Sequence, residues 1–531
     1  MQYDYVIVGA GSAGCVLANR LSANPTTRVC LLEAGPADDS LFVRVPAGII
    51  VLMRSKKRNW RYWTVPQAHL DGRATYVPRG KTLGGSSSVN AMIYTRGHRR
   101  DYDHWAALGN TGWSYADVLP IFRRTENNAR GSDAYHGVGG GLNVADLRFS
   151  HPVARAFVDA AVAAGYPYSK DFNGAQQEGV GLYQVTQTGG ERSNVARGFL
   201  HPVEDRQNLT IIPGALTTRI LMDGKRATGV EYLHRGRTEK LAAGTVILSA
   251  GAINSPQLLL LSGIGARAQL EPHGIRQVHD LPGVGCNLQD HPDILTVKRS
   301  QRHDTLSLGP RYGATTGPAA VAQYFPGRQG PLTSNVAESG GFIKSRDEEE
   351  IPDLQLHLSA CLLDNHGLDL KFSMGWGYSA HVCILRPKSR GSVTLKSANP
   401  QTAPLIDPNF LADPDDMERL LRGVKIVRDR ILPHPVLAPW DAGEVSPGDA
   451  VQGDDALRAF IRRKADTIYH PVGTCRMGSD DAAVVDANLK VHGLEGLYVV
   501  DASIMPTLIG GNTNAPTVMV ADKAADGLIE R

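Results

Sequence analysis

Apolar positions dominate the first eight residues, where Tyr3, Tyr5, Val6, Ile7 and Val8 predict a strand that stops at Gly9. The spacing then changes. Cys15, Val16, Leu17, Ala18 and Leu21 suit one face of a helix, and 28–33 is a second short apolar run, again a strand. Strand, glycine turn, helix and strand in succession are the opening of a doubly wound α/β sheet. Residues 36–109 are rich in Gly, Ser and Arg and carry little periodicity, so they are expected to form a long binding or lid loop. Helical spacing returns over 152–164, with Gly165 as its stop. β-branched runs at 209–212, 218–221, 228–233 and 245–248 predict strands, and 255–262 a helix with Pro256 in its first turn. From 295 to 466 the pattern becomes spaced strands (381–385, 392–395) with helices near 417–431 and 455–464, which predicts a second unit on an antiparallel sheet. The tail, strand 497–500 and helix 517–529, returns to the first style, so the first unit is discontinuous in sequence.

Composition narrows the class. The 531 residues are 42% hydrophobic and 21% charged, ordinary for a globular chain, and too long for one core. A net charge of +3 gives no basic excess for nucleic acid. Six cysteines lie far apart without a CxxC pair, which predicts buried thiols in a reducing compartment and no structural metal. No basic-then-apolar leader opens the chain, and the most apolar stretch, 246–264, is broken by Asn254, Pro256 and glycines. The expectation is a cytoplasmic protein, at most peripheral on the inner face of a membrane.

Chemistry enters at the first turn. Gly9, Gly11 and Gly14 form GxGxxG between a strand and a helix, where missing Cβ atoms let a pyrophosphate reach the helix N-terminus. Glu33 at the end of the next strand suits ribose hydroxyls and repels a 2′-phosphate. The turn alone does not separate FAD from NAD. A run of small residues, Gly84-Gly85-Ser86-Ser87-Ser88-Val89-Asn90 after Arg79-Gly80-Lys81-Thr82-Leu83, offers amides and hydroxyls for a large planar ligand.

With Ala250-Gly251-Ala252-Ile253-Asn254-Ser255-Pro256, Asn287-Leu288-Gln289-Asp290-His291 and His470-Pro471-Val472-Gly473-Thr474-Cys475-Arg476-Met477-Gly478, that run resembles the glucose–methanol–choline (GMC) oxidoreductases over essentially the whole chain. The resemblance implies an FAD-binding Rossmann-like domain (1–155, 195–297 and 465–531) and an α+β substrate-binding domain with an antiparallel sheet (156–194 and 298–464). It implies FAD contacts from Gly9, Gly11, Ser12, Ala13, Gly14, Glu33, Ala34 and Arg79. Further contacts are implied from Gly84, Gly85, Ser86, Asn90, Ala91, Asp501, Ala502, Asn512 and Asn514. Val89 stands where some relatives carry the histidine that attaches FAD, so the cofactor is expected to be non-covalent.

Hydride removal from an alcohol carbon needs a base near neutrality and a polar group for the alkoxide oxygen. Among 17 histidines, His470 stands out because it opens its motif, with Gly510-Gly511-Asn512-Thr513-Asn514 downstream. The resemblance pairs His470 as general base with Asn514 as the group that orients the alcohol oxygen. GxSxG, HExxH and the Walker A pattern are absent from the sequence. Within the family the sequence is most similar to bacterial alcohol dehydrogenases of alkane-degradation pathways, then to polyethylene-glycol, L-sorbose and choline dehydrogenases. The implied reaction is oxidation of a primary alcohol to an aldehyde by hydride transfer to flavin N5, with a quinone or other non-O₂ acceptor. An oxidase releasing hydrogen peroxide, a non-redox lyase and a photodecarboxylase share the fold. Glu338 reads as hydrogen-bonded scaffolding or a substrate contact. The apolar stretch 48–53 followed by Arg54, Lys56, Lys57 and Arg58 reads equally as a lid or as a membrane-docking patch.

Overall fold

The computed structural model describes residues 2–530. Two sheets of seven strands each hold one core. In the first, the order is 209–213, 29–33, 2–8, 237–248, 226–234, 215–223, with 497–499 also on 237–248. Strands 209–213, 29–33, 2–8 and 237–248 run parallel, and 497–499 adds another parallel partner. The 237–248 strand is long because it serves two partners. Its first half pairs antiparallel with 226–234, and its second half, from Ala242, lies parallel to 2–8. Val6, Ile7, Leu31, Val246 and Ile247 are wholly buried, as a parallel sheet covered on both faces requires.

The second sheet is antiparallel throughout, in the order 444–446, 292–299, 377–384, 354–359, 337–343, 179–182, with 466–467 beside 292–299. Period-2 alternation sends Leu354, Leu356, Leu358, Ala380, Val382 and Ile384 to one face, where they pack with Leu420, Val424, Leu457 and Phe460. Those last four come from helices Pro414–Lys425 and Asp454–Lys464. The opposite face turns toward a cavity.

Three domain boundaries move. Helix Pro152–Ala163 begins before residue 156 and puts Val153, Ala154 and Phe157 into the second core. Strand Pro292–Arg299 belongs whole to the second sheet, and so does Asp466–Thr467. A composition shift marks where character changes, not where a continuous strand crosses between sheets. The loop expected over 36–109 contains short helices and Arg99–Ala107. Helix Tyr115–Thr125 was not foreseen, although Ser114 and Asp117 form a capping box and Val118, Ile121 and Phe122 share a face. Pro120 inside it masks the pattern. The six cysteines are free thiols. Among the described residues, no helix is long and apolar enough to cross a membrane.

Candidate active site

A cavity of about 1030 Å³ runs from the first glycine turn to the face of the second sheet. At one end lie Gly9, Gly11, Ser12, Ala13, Glu33 and Ala34; at the other, His470 and Asn512. Gly9 has φ +99°, and a Cβ there would fall 2.6 Å from the Ser249 carbonyl oxygen, so the turn admits only glycine. Gly11 has open space where its Cβ would point, with nothing nearer than 3.9 Å, which lets a ligand approach the backbone. Gly14 and Gly84 line none of the cavity. A Cβ on Gly14 would meet the Gly9 carbonyl at 1.9 Å, and Gly84 donates its N–H to Ala10, so both close the turn from behind.

Two helices, Ser12–Leu21 and Asn514–Ile529, begin at this cavity without a side-chain cap. Their N-termini are joined by the Ser12 hydroxyl donating to Asn514 Oδ1 at 2.7 Å. Uncapped amides of two helices facing one space suit a pyrophosphate. Glu33 accepts from the Ala10 and Gly35 amides, while burial pushes its carboxyl up to about 7. The buried hydroxyls of Ser249 and Thr217 also line this end and find no partner among the described residues. These features fit a dinucleotide such as FAD. Arg79, Gly85, Ser86, Asn90, Ala91, Asp501 and Ala502 continue the lining toward His470. Asp501 is already engaged, accepting from Gly251 N, Ser255 Oγ and Ser503 N. Asn90 is held by Met92 N and by the buried Arg192 guanidinium.

His470 is placed by a strained turn. Tyr469 adopts φ +77°, rare for a bulky residue, and its amide donates to Thr467 Oγ1. The Asp290 carboxylate accepts from Thr467 Oγ1 and from the His470 and His291 amides. Burial pushes the Asp290 carboxyl up to about 6.

The tautomer of His470 follows from its neighbours. His291 Nε2 lies 3.0 Å from the Leu385 carbonyl oxygen and 3.1 Å from that of Ile509. Carbonyls only accept, so this nitrogen carries the hydrogen. Burial holds His291 down at about 3, hence neutral, and its Nδ1 is a lone pair. His470 Nδ1 lies 3.0 Å from that lone pair and must donate to it. His470 Nε2 is therefore the unprotonated, basic nitrogen. Burial, then the neighbouring His291 and His357, keep His470 well below the usual imidazole range.

Asn512 faces this nitrogen. Its Oδ1 accepts from Thr95 Oγ1 and Gln355 Nε2, each at 3.1 Å, which turns its NH₂ toward His470 Nε2 at 3.2 Å. A lone pair beside a fixed amide donor can take a hydroxyl proton while the amide holds the oxygen. The expected pairing of His470 with the Asn514 side chain is not what the structure brings together. Asn514 is the first residue of the last helix and its amide oxygen turns to Ser12. In the sequence Asn512 stands out only as a cofactor contact. His291 was missed as an orienting group, although Asp290-His291 stood inside a motif already singled out. Glu338 lies outside the cavity lining, wholly buried, accepting from Ser334 Oγ and the His151 amide. It is scaffolding.

Profiles of the GMC oxidoreductase family match residues 3–293 and 387–521. The chain is 51% identical over 533 residues to an alcohol dehydrogenase [acceptor] of Pseudomonas putida, covering 100% of this chain and 96% of that one. It is 44% identical over 537 residues to the mitochondrial choline dehydrogenase of Mus musculus, covering 99% and 89%. The structure of pyridoxine 4-oxidase from Mesorbium loti superposes with a TM-score of 0.90 at 32% identity, covering 100% of this chain and 99% of that one. With its glycine turn, its paired helix N-termini and its buried His470 accounted for, the chain belongs to the GMC oxidoreductase family.

Proposed function

We propose that this protein, an FAD-dependent oxidoreductase acting on CH–OH groups, oxidises a primary alcohol to the aldehyde and passes the electrons to an acceptor other than O₂. The observation that carries this reading is the His291–His470–Asn512 arrangement, a buried base with its lone pair fixed beside an amide donor. His470 Nε2 takes the hydroxyl proton, and Asn512 Nδ2 holds the oxygen as its charge grows. Bound FAD supplies the hydride acceptor. Burial of His470 excludes bulk water from the proton it receives.

The P. putida relative, an alcohol dehydrogenase [acceptor], supports alcohol oxidation with a non-O₂ acceptor, and a quinone is the acceptor proposed. Alcohols of alkane pathways are one candidate class of substrate, and choline and polyols are the alternatives. Val89, an apolar side chain on the cavity wall, supports non-covalent FAD. An assay of a medium-chain primary alcohol with a quinone analogue, run beside one with air alone, tests the reading. Turnover with the quinone and little peroxide supports it, whereas stoichiometric peroxide makes the protein an oxidase.

Peripheral contact with the inner face of the cell membrane is part of the proposal. Ile49, Ile50, Val51 and Trp63 line the cavity, and Phe42, Val51 and Trp63 are exposed. In the segment after Met53, Lys56 and Lys57 are exposed, while Arg54 is half-buried and Arg58 pairs with Asp39. An apolar rim with basic neighbours suits an anionic lipid surface. Pelleting with anionic vesicles, lost when Arg54, Lys56, Lys57 and Arg58 are neutralised together, is the expected result; pelleting that the neutralised variant retains, or that never occurs, removes it.

A further inference from the structure

The wall of the cavity formed by the second sheet carries Asp293, His357, Ser359 and His381 beside Leu295 and Val297, where a plain alkyl chain would call for apolar side chains alone. Alternation along three adjacent strands decides which side chains face it. Ile294, Leu356, Leu358, Ala380 and Val382 go to the helix-covered core, and the positions between them go to the cavity. Those are Asp293, Leu295 and Val297 from 292–299, His381 from 377–384, and His357 and Ser359 from 354–359. His381 pairs across the ladder with Leu295 on one side and with His357 on the other, so the polar groups form a band across the sheet.

Two atoms in this band have no hydrogen-bond partner among the described residues. Asp293 Oδ2 accepts from His381 Nδ1 at 2.7 Å, but Asp293 Oδ1 is buried and unpaired. His357 Nδ1 is likewise buried and unpaired, and both residues are only 3% exposed. Buried polar atoms left without partners are exceptions in folded chains, and here both belong to side chains that line a cavity. Burial raises the Asp293 carboxyl above its usual range while His381 opposes the shift, and in its ionised form Oδ1 can only accept. Burial holds the His357 imidazole far below its usual range and so neutral, with one nitrogen that donates and one that accepts. A substrate hydroxyl can donate to the first and can pair with the second. A methylene chain satisfies neither, and a trimethylammonium group has no N–H or O–H to offer.

We propose that Asp293, positioned by His381, and His357 form a subsite for a second hydroxyl of the substrate. The preferred substrates are then terminal diols or polyols with a primary carbinol rather than plain n-alkanols. The inference rests on the alcohol-oxidising reading above and deepens it.

The test compares n-alkanols with α,ω-diols of the same chain length in the holoenzyme, by kcat/KM and by calorimetric binding to dithionite-reduced enzyme, which cannot turn over. At the best chain length the diol is expected to exceed the alkanol about tenfold or more in both measurements, as a buried hydrogen bond to a charged group allows. Asp293→Ala and His357→Leu are expected to collapse that ratio toward unity, and Asp293→Asn to restore part of it. If the alkanol equals or beats the diol at every length in the native enzyme, the subsite does not exist, whether or not the variants fold. If both alcohols are oxidised and the ratio is unmoved by either substitution, the proposal is also overturned. If neither alcohol is oxidised, it is the alcohol reading that fails, and the binding ratio in reduced enzyme still decides the subsite.

Discussion

Asn512 and Asn514, two residues apart, serve different neighbours: the Asn512 amide lies 3.2 Å from His470 Nε2, while Asn514 Oδ1 accepts from Ser12 at 2.7 Å. The divergence is set by Thr513, the N-cap after which the last helix starts. Asn512→Ala is therefore expected to lower kcat about 10²–10³-fold, the cost of removing a donor to a developing oxyanion. Asn514→Ala is expected to leave kcat within severalfold and to weaken FAD retention, with a stability loss of about 1 kcal/mol. Stopped-flow flavin reduction and thermal release of flavin fluorescence separate the two. Equal losses of kcat in both variants would contradict the division of roles.

His291 acts through His470. His291→Leu removes the acceptor for the His470 Nδ1 hydrogen and frees the ring to take the other tautomer. The expected loss in kcat/KM is roughly ten- to hundredfold, against about 10²–10⁴-fold for His470→Ala. His291→Asn, which keeps an acceptor, is expected to recover part of it. A His291→Leu enzyme with native kcat/KM and native pH profile would show that the contact is packing alone.

The pH profile carries a sign. The His470 imidazole is held well below its usual range, first by burial and then by His291 and His357. Its basic form therefore survives below the ordinary histidine value of about 6.5. The acid limb of kcat/KM is expected on the acid side of that value in the native enzyme. A limb centred above pH ~7 would mean that His470 is not the titrating base or is not desolvated.

Stability has its own dependence. Burial alone would lower His136, but its bonds to Asp171 and Glu126 prevail and raise it to about 9. The Asp38 carboxylate, with Glu204, raises His201 to about 9 despite burial. A raised imidazole stabilises the fold fully below its unfolded value of about 6.5, and that contribution is lost as pH climbs through the folded value. Tm is expected to fall between pH ~6.5 and ~9, and less so in a His136→Gln, His201→Gln double variant. A Tm that rises across this window would contradict the assignment.

Much of the cofactor half was legible because its logic is local. Gly9, Gly11 and Glu33 act within one strand–turn–helix–strand unit, and the steric demand of Gly9 is a property of that turn. The doubly wound sheet and the antiparallel second sheet were legible for the same reason, from periodicity within single elements. The catalytic pairing was not local. Asn512 is turned by Thr95, 417 residues away, and by Gln355, 157 residues away. His291 reaches His470 across 179 residues. Two asparagines in one motif are equivalent until those distant partners choose between them. The polar band at Asp293, His357 and His381 was invisible in the same way, since strands 292–299, 377–384 and 354–359 had to be placed side by side before their cavity face existed.

The most direct test of the account is an anaerobic visible spectrum of the purified protein before and after a primary alcohol is added, repeated with His470→Ala. Yellow flavin bands that bleach on mixing, and that bleach far more slowly in the variant, are the expected result. A colourless protein that takes up no FAD, or bands that persist with alkanols, diols and choline alike, would contradict it.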